Sequence, residues 1–340
     1  MNLDIYKGKR ILVTGGTGSF GQNYVRYLLE RTKAATIIIF SRDEFKQFHM
    51  QRELRDSRLR FFIGDVRDLS RLQRALHGVD IVIHAAALKQ IPILEYNPFE
   101  AVKTNIIGSQ NVIEAAIDQH VSRVLLISTD KAAQPINLYG STKLCAEKLF
   151  INGNSYTDGK TMLAAVRYGN VLGSRGSIVE TLMRKRDGEE VHITDERMTR
   201  FWITYEEAFK LVSFALTTMV GGEIFVPRIP SMKIVDLFYA LVPNARRKII
   251  GIRPGEKLHE MLLTPLEAKH TIALEDYYVI LPEDQGLLDG DRYMKYVKSG
   301  SEVAEDFQYE SHTNDRWITI EELQAMILKD KNDTLRTSDN

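Results

Sequence analysis

Short, almost wholly apolar runs rich in β-branched residues recur along the first half of the chain: Arg10–Val13, Thr36–Ile39, Arg60–Ile63, Asp80–Ile83 and Arg123–Ile127. Runs of this length without alternation are what strands buried on both faces of a parallel sheet look like. Between them, apolar positions repeat with a helical period over Asn23–Thr32, Asp43–Leu54, Leu69–Leu76, Phe99–His120 and Tyr139–Asn152. This alternation predicts right-handed βαβ units, hence an α/β fold with a doubly wound parallel sheet. Ligands are then expected at the carboxyl ends of the strands.

Beyond Val171 the texture changes. Charged, glycine-containing stretches such as Arg184–Glu190, Pro-punctuated strands over Glu223–Pro230 and the turn Arg253-Pro-Gly-Glu256 replace the regular alternation. The pattern predicts a first domain over 1–171, with a return of the chain near 201–230. A smaller mixed α/β domain is predicted over 172–200 and 231–330. Residues 331–340 are polar and read as a frayed tail. No internal repeat is present.

Composition narrows the function classes. The chain has 340 residues, enough for about two domains. Lys and Arg total 45 and Asp and Glu total 45, so the formal net charge is zero. A protein that neutralises a phosphate backbone carries a basic excess, so no nucleic-acid partner is expected. With 44% hydrophobic and 26% charged residues, the chain can bury a core. A single cysteine, Cys145, cannot form an intramolecular disulfide, which fits a reducing cytoplasm. Met1–Tyr6 leads through basic residues into a strand without the apolar core of a signal peptide. The apolar runs fall far short of the roughly 20 residues that span a bilayer, so no membrane association is expected.

The first strand runs into Thr14-Gly15-Gly16-Thr17-Gly18-Ser19-Phe20-Gly21 and then directly into a helix. Glycines at this spacing allow a tight turn, let a pyrophosphate approach bare backbone and let the helix pack closely on the strand. The loop therefore marks a Rossmann-type dinucleotide site, with Gly15, Thr17, Gly18, Ser19, Phe20 and Gly21 around the ligand. NAD sites usually carry an acid at the end of the second strand. Here that position holds Ser41, followed by Arg42 and Asp43, with Lys46 one turn further on. Serine and arginine suit a 2′-phosphate, so NADP is the expected cofactor. Read instead as a helix cap, Asp43 leaves the choice of nucleotide open. Gly64, Asp65 and Val66 at the end of the third strand would lie over the adenine. Ala85-Ala86-Ala87 after the fourth would lie over the pyrophosphate.

Tyr139-Gly-Ser-Thr-Lys143 opens a helix, so the phenol and the ammonium share one face. An ammonium beside a phenol favours the phenolate and lets tyrosine act as a base. The preceding strand ends Ser128-Thr129, with hydroxyls aimed at the same crevice. Together with the glycine loop, these residues resemble the extended branch of the short-chain dehydrogenase/reductase superfamily. Members of that branch that dehydrate nucleotide sugars carry Thr-Asp-Glu after this strand, whereas this chain has Thr129-Asp130-Lys131. Ser128-Thr-Asp-Lys-Ala-Ala133, Pro135-Ile-Asn137 and the Tyr139 motif are similar to the C5-inverting UDP-N-acetylglucosamine 4,6-dehydratases of pseudaminic acid biosynthesis. The likeness continues through Ala85-Ala-Ala-Leu-Lys89, Lys103-Thr-Asn105, Val166-Arg-Tyr-Gly-Asn170, Gly173-Ser-Arg175-Gly-Ser177, Arg197-Met-Thr-Arg200-Phe-Trp202 and Gly251-Ile-Arg253-Pro-Gly-Glu256-Lys-Leu-His259.

The resemblance implies a mechanism and a set of contacts. Tyr139 removes the C4 hydroxyl proton while hydride leaves C4 for NADP, and Thr129 hydrogen-bonds the forming ketone. Lys131, in its neutral form, removes the acidified C5 proton and Asp130 protonates the departing C6 hydroxyl. Hydride returns to C6, and C5 is reprotonated on the opposite face. The product is UDP-2-acetamido-2,6-dideoxy-β-L-arabino-hex-4-ulose. Ala86, Lys89, Thr104, Tyr139, Lys143 and Val171 join the cofactor set. Lys89, Asn170, Arg175, Gly176, Ser177, Ile178, Val179, Glu180, Arg200, Arg253 and Glu256 form the set for UDP-N-acetylglucosamine, with arginines as partners for its diphosphate. A homo-oligomer, often a hexamer among relatives, is implied as well. No metal site is expected, and His84 reads as a partner for strand-end polar groups. Two readings compete: a 4-epimerase or retaining dehydratase of the same superfamily, which has no use for Lys131, and a non-catalytic NADPH-binding scaffold.

Overall fold

The parallel runs pair as their composition requires. In the computed structural model, which describes residues 3–174, 177–186, 188–283 and 292–327, the chain divides into two units. The first comprises Met1–Tyr168, Glu206–Arg228 and Leu262–Gln308. Its strands β1 (Arg10–Thr14), β2 (Thr36–Ser41), β3 (Leu59–Ile63), β4 (Ile81–His84), β5 (Arg123–Ile127) and β6 (Met162–Val166) lie parallel in the order β3-β2-β1-β4-β5-β6. This is the doubly wound order, whose strand-end crevice opens where β1 and β4 part. Ile224–Pro227 adds a further parallel strand beside β6. The antiparallel strands Tyr277–Ile280, Thr271–Ala273 and Ser301–Glu302 complete ten. Those last strands explain why Leu262–Gln308 belongs to the first unit, although its irregular sequence groups it with the second: sheet pairing, not texture, decides where it lies.

Helices α2 (Glu44–Leu54) and α3 (Leu69–Ala75) start where the periodicity places them, with Asp43 and Asp68 accepting the backbone N–H three residues on, whereas α1 (Ser19–Arg31) starts four residues before the expected Asn23, within the glycine loop. Two short helices, α4 (Ile91–Tyr96) and α5 (Pro98–Ala101), precede a π-helical turn at Val102–Ile107 and then α6 (Gly108–Asp118). The single helix predicted over Phe99–His120 is thus interrupted. Within the π turn the Asn105 amide accepts from Leu88 N–H (2.8 Å) and donates to Leu88 C=O (2.9 Å) and Thr142 Oγ1 (3.0 Å). Wide turns of this kind recur at functional sites. Helix α7 (Leu138–Gly153) follows β5 and is capped by Asn137, which accepts from Gly140 N–H.

One buried ionic cluster ties this unit together. Arg167, at the end of β6 and wholly buried, forks onto Glu147 of α7 (3.1 and 2.7 Å) and onto Glu267 (3.0 and 2.7 Å), and also donates to Leu262 C=O. All five guanidinium protons are used.

The second unit comprises Gly169–Tyr205, Ile229–Met261 and the described part of Tyr309–Asn340. Asn170–Val171 pairs parallel with Thr199–Ile203, which pairs antiparallel with Ser231–Lys233; Glu190–Ile193 pairs with Arg246–Ile249. Its own core gathers Leu172, Val179, Trp202, Leu237, Phe238 and Leu323. The predicted tail 331–340 lies outside the described residues. Among those described, no helix is long and apolar enough to cross a membrane.

Removing one partner of a buried charge network strands the others. Arg167→Met should therefore destabilise the protein by about 3–5 kcal/mol, read as a lower urea midpoint at unchanged slope.

Candidate active site

The site begins with backbone geometry. Gly15 has φ +63°, and a Cβ there would lie 2.9 Å from Ala86 Cα and N; a Cβ on Gly21 would lie 2.5 Å from Gly15 O. Both positions need glycine because the loop, the strand after it and the α1 backbone meet without room for a methyl group. Thr14 Oγ1 accepts the N–H groups of Ala85 and Ala86 (3.2 Å each) and donates to His84 Nδ1 (2.8 Å). The imidazole proton then sits on Nε2 and goes to Ser109 Oγ (3.1 Å), whose own proton goes to Asn105 C=O (2.6 Å). Burial, with the Lys143 charge nearby, pushes His84 down to about 3, so the ring stays neutral and the chain of hydrogen bonds keeps one direction.

Gly15, Thr17, Gly18, Ser41, Arg42, Asp43, Lys46, Asp65, Val66, Ala86 and Thr104, all expected at a cofactor, line one cavity of about 330 Å³. Gly64, expected with Asp65 and Val66 over the adenine, lines it too, as do Phe40, Ala85, Ala87 and Leu88. Ser19, Phe20 and Gly21 open α1 beside it, the Phe20 ring packing on Tyr24 and Phe209. The Thr104 hydroxyl is buried with no protein partner. A buried hydroxyl of this kind in a cavity wall suits a ligand that supplies the missing hydrogen bond.

At one end of the cavity the polar residues are engaged with each other. Ser41 Oγ accepts from Gln47 Nε2 (3.0 Å), and Asp43 caps α2 and pairs with Lys46 Nζ (2.7 Å). Asp65 meets Arg67 (2.7 Å) and, at 3.7 Å, Arg42, which is about half exposed. Burial alone would raise the Asp65 carboxyl, but these guanidinium groups outweigh it and hold it below its ordinary value.

The catalytic candidates converge at the ends of β5 and β6. Asp130 is 1% exposed, its N–H held by Tyr168 C=O (3.0 Å). Its Oδ1 accepts from Thr129 Oγ1 (2.9 Å) and from Lys131 Nζ (3.0 Å), while Oδ2 is buried without a partner. Burial pushes the Tyr139 phenol up to about 12; the Lys131 charge and a hydrogen bond with Thr129 act against it. The helical spacing assigned that electrostatic help to Lys143. In the structure Lys143 is buried, donates to Ile127 C=O (2.8 Å) and is brought down to about 8 by desolvation, with Glu147 acting the other way. Lys131 is the lysine whose charge lowers the phenol here. Lys89 stands near Lys131, and desolvation and that like charge both lower it.

Other expected contacts belong to the second unit. Asn170 and Val171 pair with Trp202 and Ile203. Ser177 caps the helix Ile178–Met183, Glu180 pairs with Arg184, and Val179 packs in that unit's core. Arg200, expected to reach a diphosphate, is 6% exposed and donates to the C=O groups of Thr199 (2.8 Å), Lys257 (3.0 Å) and Leu258 (3.2 Å). Its guanidinium thereby fixes the segment that carries Glu256, while Arg253 N–H approaches Glu256 Oε2 (3.4 Å). Arg175 and Gly176 lie outside the described residues. Sequence reading quoted Asn105 and Arg167 within motifs but gave them no role, and it passed over Glu147. Glu147 could have been found, since it follows Lys143 by four residues as Lys143 follows Tyr139 and so shares their helix face. Among the described residues no group of three or more His, Cys, Asp or Glu could hold a metal ion.

Comparison with known proteins agrees with this geometry. The model of the polysaccharide biosynthesis protein family matches residues 11–282. A Campylobacter jejuni protein named UDP-N-acetylglucosamine 4,6-dehydratase (inverting) is 48% identical over 329 residues, covering 95% of this chain and 98% of that one. A Rickettsia rickettsii protein named UDP-glucose 4-epimerase is 39% identical over 334 residues, covering 95% and 96%. The crystal structure of Pen from Bacillus thuringiensis superposes with a TM-score of 0.86 at 36% identity, covering 96% of this chain and 99% of that one.

A methyl group at Gly21 has nowhere to go. Gly21→Ala should impose an overpacking cost of about 1–3 kcal/mol on the loop and raise the dinucleotide Kd about tenfold or more, measured by titration calorimetry.

Proposed function

We propose that this chain, which belongs to the polysaccharide biosynthesis protein family, is a C5-inverting UDP-N-acetylglucosamine 4,6-dehydratase using NADP. The observation that carries the reading is the Asp130–Lys131 pair: a buried carboxylate with one oxygen committed to Lys131 and Thr129 and the other bare. A 4-epimerase needs a base at the C4 hydroxyl and nothing more, so this second acid–base pair has no task in it. The protein named as an epimerase is 39% identical to this chain, against 48% for the one named as an inverting dehydratase.

The fit of a nicotinamide dinucleotide rests on the glycine cradle closed against Ala86 and on the unpartnered Thr104 hydroxyl. Gly15, Gly18 and the start of α1 would hold the pyrophosphate; Arg42 and Lys46 would exchange their present acidic partners for a 2′-phosphate. When bound, the cofactor supplies a reversible hydride store for C4 and C6. The chain's own residues handle the protons. Tyr139 takes the C4 hydroxyl proton, and the neighbouring Lys131 charge makes its phenolate more accessible. Lys131 in its neutral form takes the C5 proton, and Asp130 Oδ2 delivers a proton to the leaving C6 hydroxyl. The Asp130 proton is carried on Oδ2, the oxygen left bare, while Oδ1 keeps its 3.0 Å contact with Lys131 Nζ. Lys89 and the second unit's Asn170, Arg175, Ser177–Glu180, Arg253 and Glu256 are proposed to bind the UDP-sugar. Arg200 is proposed to act by holding the Glu256 segment. The 4-keto-6-deoxy product would feed pseudaminic acid-type sugars for surface glycans.

A homo-oligomer is part of the same reading. Ile93, Tyr96 and Phe99, on the adjoining α4 and α5, are 61%, 87% and 66% exposed, an apolar surface that association would cover.

Enzyme given UDP-N-acetylglucosamine in deuterated water should release a product lighter by one water, carrying deuterium at C5 and inverted configuration there. An epimerised product of unchanged mass would overturn the reading. Lys131→Ala should lower kcat by about 10²–10⁴ with substrate Kd little changed. Arg42→Ala should weaken NADP about tenfold or more while leaving NAD within about threefold, both read by calorimetry.

A further inference from the structure

Lys143 is a cation in an unusual setting. It is 4% exposed, its one hydrogen bond goes to the Ile127 carbonyl, and no carboxylate contacts its ammonium directly. An isolated ammonium removed from water sheds its proton unless a compensating charge lies nearby. One turn along α7 lies such a charge. Glu147 is fully buried, and its side chain projects from the same helix face at the i+4 position. Glu147 and Glu267 together carry two negative charges, and the single guanidinium of Arg167 is forked between them. The cluster is therefore one negative charge in excess inside the protein. The Lys143 ammonium is the cation that balances it.

We propose that Glu147 is a positioning residue that keeps Lys143 charged, acting as the counter-ion left over when one buried guanidinium is shared between two carboxylates. Arg167 has a second part in this. By holding the Glu147 carboxylate bidentately it stops that group from turning to form a tight ion pair with Lys143, which would withdraw the ammonium from the crevice. The charge acts at a distance while Lys143 remains aimed at the β5 carboxyl end. Glu147 is accordingly the group that raises Lys143 against desolvation, leaving it near 8. The other groups around Lys143 do not substitute for it. His84 is held neutral, Tyr139 one turn back is a phenol far from ionisation, and the Asp130 carboxylate is already paired with Lys131.

The consequence for turnover rests on the functional reading above, but the electrostatic claim does not. Glu147→Gln keeps shape and hydrogen-bonding capacity and removes the charge. The Lys143 titration midpoint should then fall by about one unit or more. It can be followed through the Cε resonance of lysine-labelled protein, assigned with Lys143→Met. In the functional reading Lys143 belongs to the cofactor set and acts there as an ammonium, so the alkaline limb of the pH–kcat profile should move to lower pH by the same amount. Activity at pH 6.5 should stay within about twofold, and activity at pH 8.5 should fall about fivefold or more. Glu147→Asp, which retains the charge, should restore the limb. An unmoved Lys143 resonance in folded Glu147→Gln protein overturns the inference. If that variant does not fold, Glu267→Gln decides: it also cancels the excess charge, so a downward shift supports the inference and none overturns it. Absence of turnover in the unsubstituted protein would sink the functional reading and leave the resonance to judge Glu147.

Discussion

The forked guanidinium of Arg167 is the interaction on which the rest of the site depends. It grows from the end of β6, reaches Glu147 on α7, and meets Glu267 and the Leu262 carbonyl from a distant part of the chain. Helix α7 carries Tyr139 and Lys143, so whatever fixes α7 against the sheet fixes these candidate groups. Apolar packing alone would let the helix slide along its axis; a bidentate ion pair in a dry environment does not. The same cluster leaves a net negative charge beside a buried lysine, so one structural device sets both the position and the charge of the helix's functional groups.

A second set of hydrogen bonds prepares the other wall. The direction imposed by Thr14 on His84, and by His84 on Ser109, locks the backbone of Ala85 and Ala86 against the glycine loop. Asn105, inside the π turn, fastens the Leu88 peptide to Thr142 of α7. The loop after β4 and the catalytic helix are therefore joined through one amide. A polar network that is fully satisfied in a low-dielectric interior is rigid, which is what a preorganised site requires. Two buried atoms remain unsatisfied, Thr104 Oγ1 on a residue that lines the cavity and Asp130 Oδ2.

The zero net charge read from composition conceals a strongly patterned site. Lys89, Lys131 and Lys143 all belong to the crevice at the strand ends, while Arg42 and Lys46 border the nucleotide cavity. Neutrality therefore says nothing against anionic ligands of small size. Asp43 and Asp65, which line the same cavity, hold its cations until a ligand competes for them.

Much of this was legible in the sequence because it is local. The parallel strands follow from apolar runs, the helix starts from caps, the cradle from three glycines, and Tyr139 and Lys143 from a four-residue spacing; each rests on geometry within one or two elements. The Asp130–Lys131 pair was equally visible, since adjacent residues need no fold to be neighbours. What the tertiary structure alone decided is non-local. The return of Leu262–Gln308 to the main sheet, the break at Val102–Ile107, the inward turn of Arg200 and the sharing of Arg167 between Glu147 and Glu267 all depend on partners up to 100 residues away. No residue pattern encodes which cation will lie beside a phenol once the chain is packed. The four-residue spacing pointed to Lys143, while in the folded protein the Lys131 charge also bears on the phenol: distance in space sets electrostatic influence, and only packing sets that distance.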